Sequence, residues 1–167
     1  MNGYKHFASV SSQVYFCSSP IRLDSYNRCQ FGCTYCFSRN RSTDTSAPGL
    51  KVANTVAFEH RLARVFYHGQ IRSALDEFIQ ARVPIQLGGV QDPFSGLEFK
   101  HRVSLELLQV LRRYNYPTII STKSTLVTQE PYFSVLKSIT SWLDSLPRVY
   151  GKNVAATLKS GVQQLMK

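Results

Sequence analysis

Apolar and polar residues follow one another along the chain in a pattern that predicts helices alternating with short buried strands. Ile71, Leu75 and Phe78 recur at steps of four and three, which is typical of one face of a helix. The same reasoning predicts, in order, helix 71–81, strand 84–87, helix 98–114, strand 117–121 and helix 132–142. Residues 14–17, 21–23 and 51–58 are further strand candidates because each contains a short apolar run.

This order of elements is typical of βα units, in which parallel strands are joined by crossover helices. We therefore expect an α/β fold in which strands 84–87 and 117–121 are adjacent and parallel. Ligands of such sheets bind at the carboxyl ends of the strands. Gly88 and Gly89 follow one predicted strand and the polar residues 121–124 follow the next. Both segments are thus expected at a ligand-binding edge.

The composition is that of one globular domain. Of the 167 residues, 43% are hydrophobic and 18% are charged. No stretch approaches the ~20 consecutive apolar residues that a membrane span requires. Residues 1–10 lack the apolar run of a signal peptide, so we expect a cytoplasmic protein that does not enter a membrane.

The charge balance favours anionic partners. Twenty Lys and Arg residues against ten Asp and Glu residues give a net charge of +10. Such an excess attracts nucleic acid, because neutralised phosphates release their counterions. The basic residues are spread along the whole chain, however. The charge is therefore equally consistent with DNA or another nucleic acid as partner and with an ordinary basic protein.

Three of the four cysteines lie close together on a predicted loop, in the sequence CQFGCTYC at residues 29–36. In a cytoplasmic chain, clustered cysteines indicate metal ligands rather than disulfides. Cys29, Cys33 and Cys36 would hold three corners of an iron–sulfur cluster and leave the fourth iron open. The alternative is a structural zinc site that Cys17 closes as the fourth ligand. Because Cys17 lies in an apolar run, it also fits a small buried side chain.

The cysteine segment resembles the C-x3-C-x-aromatic-C motif of the radical S-adenosylmethionine (SAM) enzymes. Residues 27–39 are similar to the cysteine block of the spore photoproduct lyase-like, "DNA repair photolyase" branch. Residues 85–93, IQLGGVQDP, followed by Glu98, resemble a second block of that branch, and residues 119–124, IISTKS, resemble a third. The three blocks occur in the family's order and cover roughly residues 25–130.

The resemblance implies the cofactors and their chemistry. In the family, three cysteines bind a 4Fe-4S cluster whose fourth iron is chelated by the methionyl amino and carboxylate groups of SAM. One electron, supplied by a donor such as flavodoxin or ferredoxin, then splits SAM and yields a 5′-deoxyadenosyl radical that takes a hydrogen from the substrate. The protein positions these cofactors and excludes water. Tyr35 would pack near the adenine or cover the cluster.

The resemblance also implies the residues that contact SAM. Gly88 and Gly89 would let the backbone approach the methionyl amino group, or would simply end a strand with a turn. Asp92 would seat the cofactor or hold a loop. Lys123 would pair with the SAM carboxylate or a phosphate, or remain solvated. The implied cofactor-binding residues are Tyr35, Gly88, Gly89, Asp92, Ser121 and Lys123.

The chain departs from the family in length, because a complete (β/α) barrel needs about 200 residues or more. We therefore expect a partial barrel of the radical SAM type with about three to four parallel strands and crossover helices. Residues 1–147 would form its N-terminal part, with the cluster loop at 27–41, and residues 148–167 a helical tail. A truncated product, a half-barrel completed by a partner chain and a remnant without activity all fit this expectation.

Two functions of different classes follow from the sequence. The first is a radical SAM enzyme, or its cofactor-binding half, with spore photoproduct lyase-like repair of DNA as the implied reaction. The second is a non-catalytic module in which zinc or an inert cluster stabilises a basic nucleic-acid-binding protein.

Overall fold

One sheet of four short strands lies at the centre of the fold. The computed structural model describes residues 4, 7–11, 19–36, 38 and 49–139. In this part of the chain the strands are β1 (Ala8–Val10), β2 (Ile21–Leu23), β3 (Ile85–Leu87) and β4 (Thr118–Ile120). The predictions for residues 14–17, for the end of the last helix at 140–142 and for the tail at 148–167 fall outside the described residues.

The strands lie in the order β1-β2-β3-β4, and three of them are parallel. Ile85 of β3 pairs with Ile21 on one side and with Thr118 on the other, both in parallel register. Strand β1, which the apolar pattern does not predict, is antiparallel to β2. The predicted adjacency and parallel orientation of strands 84–87 and 117–121 are therefore confirmed.

Helices connect the parallel strands. The described α-helices are α1 (Thr55–His68), α2 (Ala74–Gln80), α3 (Gly96–His101), α4 (Val103–Arg113) and α5 (Tyr132–Ile139), and a short 3-10 helix covers Thr125–Thr128. α1 and α2 lie between β2 and β3 in the chain, and α3 and α4 between β3 and β4, as expected for βα units. α1 packs against α2 and α4, and α4 packs against α5. None of the described helices is long and apolar enough to cross a membrane.

The two faces of the parallel strands differ in polarity. Ile21, Leu23, Ile85 and Leu87 alternate with polar residues and are fully buried, with 0% of their surface exposed. Because successive side chains of a strand point to opposite faces, Arg22 and Gln86 lie on the other face, and both are only half-buried. On β2 and β3 one face thus forms the core with the helices while the other carries polar groups, and in β4 the half-buried Ile119 lies on that second face.

The predicted strand at residues 51–58 is wrong, because helix α1 begins within it at Thr55. The Asn54 side chain accepts a hydrogen bond from the Ala57 amide at 2.9 Å and so caps the first turn. Phe58, Leu62 and Val65 recur at helical spacing and are buried. Only Val52 pairs in the manner of a strand, in an isolated bridge to Tyr26.

The predicted helix 98–114 is also wrong in one respect, because it consists of two helices. Arg102 ends α3 and precedes α4 with a left-handed backbone angle φ of 53°. The amides of Ser104 and Leu105, which a continuous helix would bond to earlier carbonyls, donate instead to the Glu98 carboxylate at 2.9 Å each. A side-chain cap thus replaces the helical hydrogen bonds at this point.

Helices α1 and α2 are joined by a buried carboxylate, that of Asp76. Arg61 and Arg64 donate to its two oxygens at 3.0 and 2.9 Å, and the Arg72 amide donates at 2.9 Å. Burial alone would raise the pKa of Asp76, but the Arg72 amide and the two guanidinium charges outweigh burial and lower it. The ionised carboxylate is therefore the form that the fold favours.

Replacement of Asp76 is expected to lower stability in a pH-dependent way. For Asp76→Asn we expect a loss of roughly 1–2 kcal/mol in the free energy of unfolding at pH 7. The loss is modest because the Arg61 and Arg64 side chains are 35% and 23% exposed. The pKa of Asp76 is lower in the folded state than in the unfolded state. Its contribution to the free energy of unfolding is therefore complete above about pH 4 and disappears as the pH falls through the folded-state pKa. Urea unfolding between pH 7 and pH 3 measures it.

Glu59→Gln is the matched control, because it also removes one carboxylate charge. Glu59 accepts from Arg113 at 2.8 Å, but these side chains are 35% and 53% exposed. An exposed pair of this kind contributes at most about 1 kcal/mol. Equal losses in the two variants would contradict the role of Asp76.

Candidate functional site

The carboxyl ends of β2, β3 and β4 meet at one edge of the sheet. The Gly88 amide donates to the Leu23 carbonyl at 2.9 Å, and the Ser121 amide donates to the Leu87 carbonyl at 3.1 Å. The Gln86 side chain donates to the Ser121 hydroxyl at 2.8 Å. These hydrogen bonds bring two of the segments that carry the family resemblance, 85–93 and 119–124, into direct contact.

Asp92 holds the ends of β3 and β4 together. One carboxylate oxygen accepts from the Phe94 amide at 2.9 Å and from the Thr122 hydroxyl at 2.8 Å. The other accepts from the Lys123 amide at 2.6 Å. Of the two roles expected for Asp92, this geometry provides the loop-holding one. A contact of Asp92 with a cofactor stays a prediction.

Gly88 and Gly89 permit a close approach of neighbouring chain segments. Gly88 has a left-handed φ of 89°, and a Cβ there would lie 2.6 Å from the Ser121 carbonyl oxygen. A Cβ on Gly89 would lie 2.8 Å from the Cβ of Arg22. Gly88 therefore ends β3 with a turn, which was one of the two roles expected for the glycines. The approach of a SAM amino group to these glycines stays a prediction.

Asp24 and Gln91 are two residues of this edge that the sequence analysis missed. Asp24 directly follows β2, is fully buried and accepts a hydrogen bond from the Val90 amide at 2.8 Å. Among the described residues, its second carboxylate oxygen and both amide atoms of the buried Gln91 have no hydrogen-bond partner. A carboxylate placed directly after a buried strand and before the cysteine loop was the signal available in the sequence.

The cysteine loop follows Asp24 and lies largely on the surface. Cys29 is exposed, Cys33 and Cys36 are half-buried, and none of the three forms a disulfide with a described residue. A turn joins the last two, with the Cys36 amide 3.3 Å from the Cys33 carbonyl oxygen. Cys17, the alternative zinc ligand, lies outside the described residues.

The convergence of the three sulfur atoms of Cys29, Cys33 and Cys36 on one metal cluster stays a prediction. Among the described residues, no group of three or more His, Cys, Asp or Glu side chains is placed to hold a metal ion. The donor set itself fits an iron–sulfur cluster, because it consists of three reduced cysteines within one accessible loop.

Lys123 connects the end of β4 to the cysteine loop. Its Nζ atom lies 3.1 Å from the Sγ atom of Cys33 and 3.9 Å from the ring centre of Tyr35. The cysteine loop therefore lies at the carboxyl edge of the parallel strands. The expected partner of Lys123 was a SAM carboxylate or a phosphate, whereas in the structure its partners are a thiol and an aromatic ring.

Glu98, the acidic residue of the second resembling segment, is completely buried. Its carboxylate accepts hydrogen bonds from the hydroxyl groups of Tyr26 and Tyr132 and from two amides of α4. Burial, together with the neighbouring Glu98, raises the pKa of both tyrosines. These contacts give Glu98 a structural role next to the edge.

Comparison of the chain with protein-family models, with curated proteins and with solved structures finds no match. Any function assigned to the site therefore has to be argued from its residues and their geometry.

Replacement of Asp24 is expected to stabilise the protein above pH 6. Burial raises the pKa of Asp24 from 3.8 to about 6, although the Val90 amide and the charge of Arg22 oppose the rise. A folded-state pKa above the unfolded value means that stability falls as the pH rises from about 4 to 6. A shift of this size corresponds to roughly 3 kcal/mol, so Asp24→Asn should gain up to that amount at pH 7 and little below pH 4.

Chemical unfolding of the wild type and of Asp24→Asn at several pH values provides the measurement. The diagnostic quantity is the difference between the two free energies of unfolding as a function of pH, because the substitution also changes packing. A difference that stays constant from pH 4 to pH 7 would show that Asp24 titrates normally.

Proposed function

We propose that the chain is part of a radical SAM protein in which Cys29, Cys33 and Cys36 hold a 4Fe-4S cluster and SAM binds at the adjoining strand ends. The observation that carries the proposal is the 3.1 Å distance between Lys123 and Cys33, two residues 90 positions apart. It brings the cysteine segment to the edge where the other two resembling segments meet. Ligands of parallel α/β sheets bind at this edge.

The polarity of the sheet supports a barrel rather than a sheet covered by helices on both faces. In an α/β barrel, helices cover only the outer face of the strands, and the inner face is directed toward the interior of the barrel. On β2 and β3 the face carrying Arg22 and Gln86 is polar and half-buried, whereas the side chains on the opposite face of these two strands are completely buried. We infer that β2, β3 and β4 are strands of a partial radical SAM barrel. Further strands would come from a partner chain.

The residues at the edge have separate tasks in this proposal. The backbone at Gly88 and Gly89 and the Ser121 hydroxyl would bind the methionyl part of SAM, with Asp92 keeping them in place. Tyr35, 75% exposed, would cover the adenine or the cluster. When bound, the cluster would supply the electron that splits the sulfonium of SAM.

For the substrate we propose DNA or another nucleic acid, following the spore photoproduct lyase-like resemblance. The net charge of +10 favours such a polyanion. A flavodoxin or ferredoxin would supply the electron in the cytoplasm, where cysteine thiols stay reduced.

Anaerobic reconstitution with iron and sulfide tests the cluster. The wild-type chain is expected to bind iron and inorganic sulfide and to develop a broad visible absorbance that bleaches on reduction. Cys33→Ala is expected to lose most of this absorbance, because one of three ligands is gone. Metal analysis of the purified proteins gives an independent count.

Cys17→Ala is the matched control for the cluster ligands. This variant removes the thiol of the fourth cysteine, which lies outside the 29–36 segment, and is expected to leave the cluster intact. The alternative result is a colourless wild-type protein that binds one zinc ion, with no zinc bound in either Cys17→Ala or Cys33→Ala. That result would support the structural zinc site instead of the cluster. The chain is then a metal-stabilised basic module.

Cofactor cleavage tests the reaction class. With a chemical reductant and SAM, the loaded wild-type protein is expected to release 5′-deoxyadenosine slowly without added substrate, and Cys33→Ala to release none. Chromatography of the acid-quenched mixture measures the product. A fully loaded cluster that releases no 5′-deoxyadenosine would mean that this chain keeps the motif without the reaction.

A further inference from the structure

The ammonium group of Lys123 lies between the cysteine loop and an aromatic ring. Its Nζ atom is 3.1 Å from Cys33 Sγ, within hydrogen-bond distance for a sulfur acceptor. The same atom is 3.9 Å from the centre of the Tyr35 ring, a distance suited to a cation–π contact. One lysine thus contacts two residues of the segment that would carry the cluster.

The position of Lys123 is fixed from its own backbone. Its amide donates to Asp92 at 2.6 Å, and the Thr122 hydroxyl donates to the same carboxylate at 2.8 Å. The ammonium reaches the loop from a strand end that is itself held by hydrogen bonds. The Tyr35 ring further restricts the side chain, which would otherwise be a flexible surface lysine.

A positive charge at a cysteine sulfur has a definite effect on an iron–sulfur cluster. Reduction adds one electron, and so one negative charge, to the cluster without forming or breaking a bond. An ammonium donor at a ligand sulfur stabilises the more negative form better than the less negative one. The reduction potential therefore rises with hydrogen bonds and positive charge at the sulfurs.

We propose that Lys123 is a positioning residue that donates a charge-assisted hydrogen bond to the Cys33 sulfur and raises the reduction potential of the cluster before SAM binds. The inference rests on the proposed function, and it assigns Lys123 to the metal centre in addition to any contact with SAM. Its structural basis is the contact with Cys33 and Tyr35.

The midpoint potential of the reconstituted cluster, measured without SAM, tests the inference. Dithionite and redox mediators supply the electrons, and visible absorbance and electron paramagnetic resonance report the reduced fraction. We expect Lys123→Met to shift the midpoint to a more negative value and Lys123→Arg to stay near the wild type. Lys123→Gln, which keeps an N–H donor without the charge, should lie between Lys123→Met and the wild type.

Lys137→Met is the matched control, because it removes the same charge from an exposed lysine of α5. Its midpoint potential should equal that of the wild type. Iron and sulfide content is measured for every variant, so that potentials are compared at equal loading.

The possible results separate the inference from the proposed function. A loaded Lys123→Met with the wild-type potential overturns the inference alone, and weakened SAM binding in that variant would then assign the lysine to SAM. If only the wild type and Lys123→Arg assemble a cluster, the role of the lysine is to hold the cysteine loop for assembly. The inference is then wrong as well. If the wild type itself takes up no iron and sulfide, the proposed function fails and the inference fails with it.

Discussion

The Glu98 carboxylate lies at 0% exposure and accepts hydrogen bonds from three separate parts of the chain, so the arrangement around the candidate site depends on it. Tyr26 follows β2, the Ser104 and Leu105 amides begin α4, and Tyr132 belongs to α5. Burying a carboxylate without partners costs several kcal/mol, so these donors must be present together. The carboxylate therefore sets where α3 ends, where α4 begins and where α5 packs.

A chain of polar contacts extends this constraint to the sheet edge. The Ser104 hydroxyl is 2.7 Å from the Ser25 hydroxyl and also contacts the Pro93 carbonyl. Pro93 follows Asp92, whose carboxylate binds the end of β4. The edge is thus fixed relative to the core, while the cysteine loop extends from it with Cys29 exposed.

Local signals in the sequence predicted the parallel strands but not every helix. Strands β3 and β4 are short apolar runs preceded by a proline and followed by glycine or polar residues, and the helical periods between them indicate parallel order. Helix α1 was missed because Val52, Val56 and Phe58 favour strands locally, whereas the Asn54 cap and the burial of Leu62 and Val65 decide the outcome.

Other features depend on contacts between distant residues, which no local pattern contains. The break at Arg102 interrupts a continuous helical period because the Glu98 carboxylate captures the amides beyond it. The contact between Lys123 and Cys33 spans 90 positions, and the sequence predicted only that Lys123 follows a strand and that Cys33 lies on a loop. The burial of Asp24 likewise follows from how β2 and β3 pair.

The distribution of charge at the edge also follows from this architecture. Its two carboxylates are directed inward: Asp24 is buried against the Val90 amide, and Asp92 accepts from three groups of the adjoining loops. The exposed Lys123 ammonium is directed toward the Cys33 thiol. Gathering three thiolates concentrates negative charge, and repulsion from a free carboxylate nearby would oppose it. Because the carboxylates of the edge hold the strand ends, the Lys123 ammonium is the charged group that faces the Cys33 sulfur, as the proposed cluster would require.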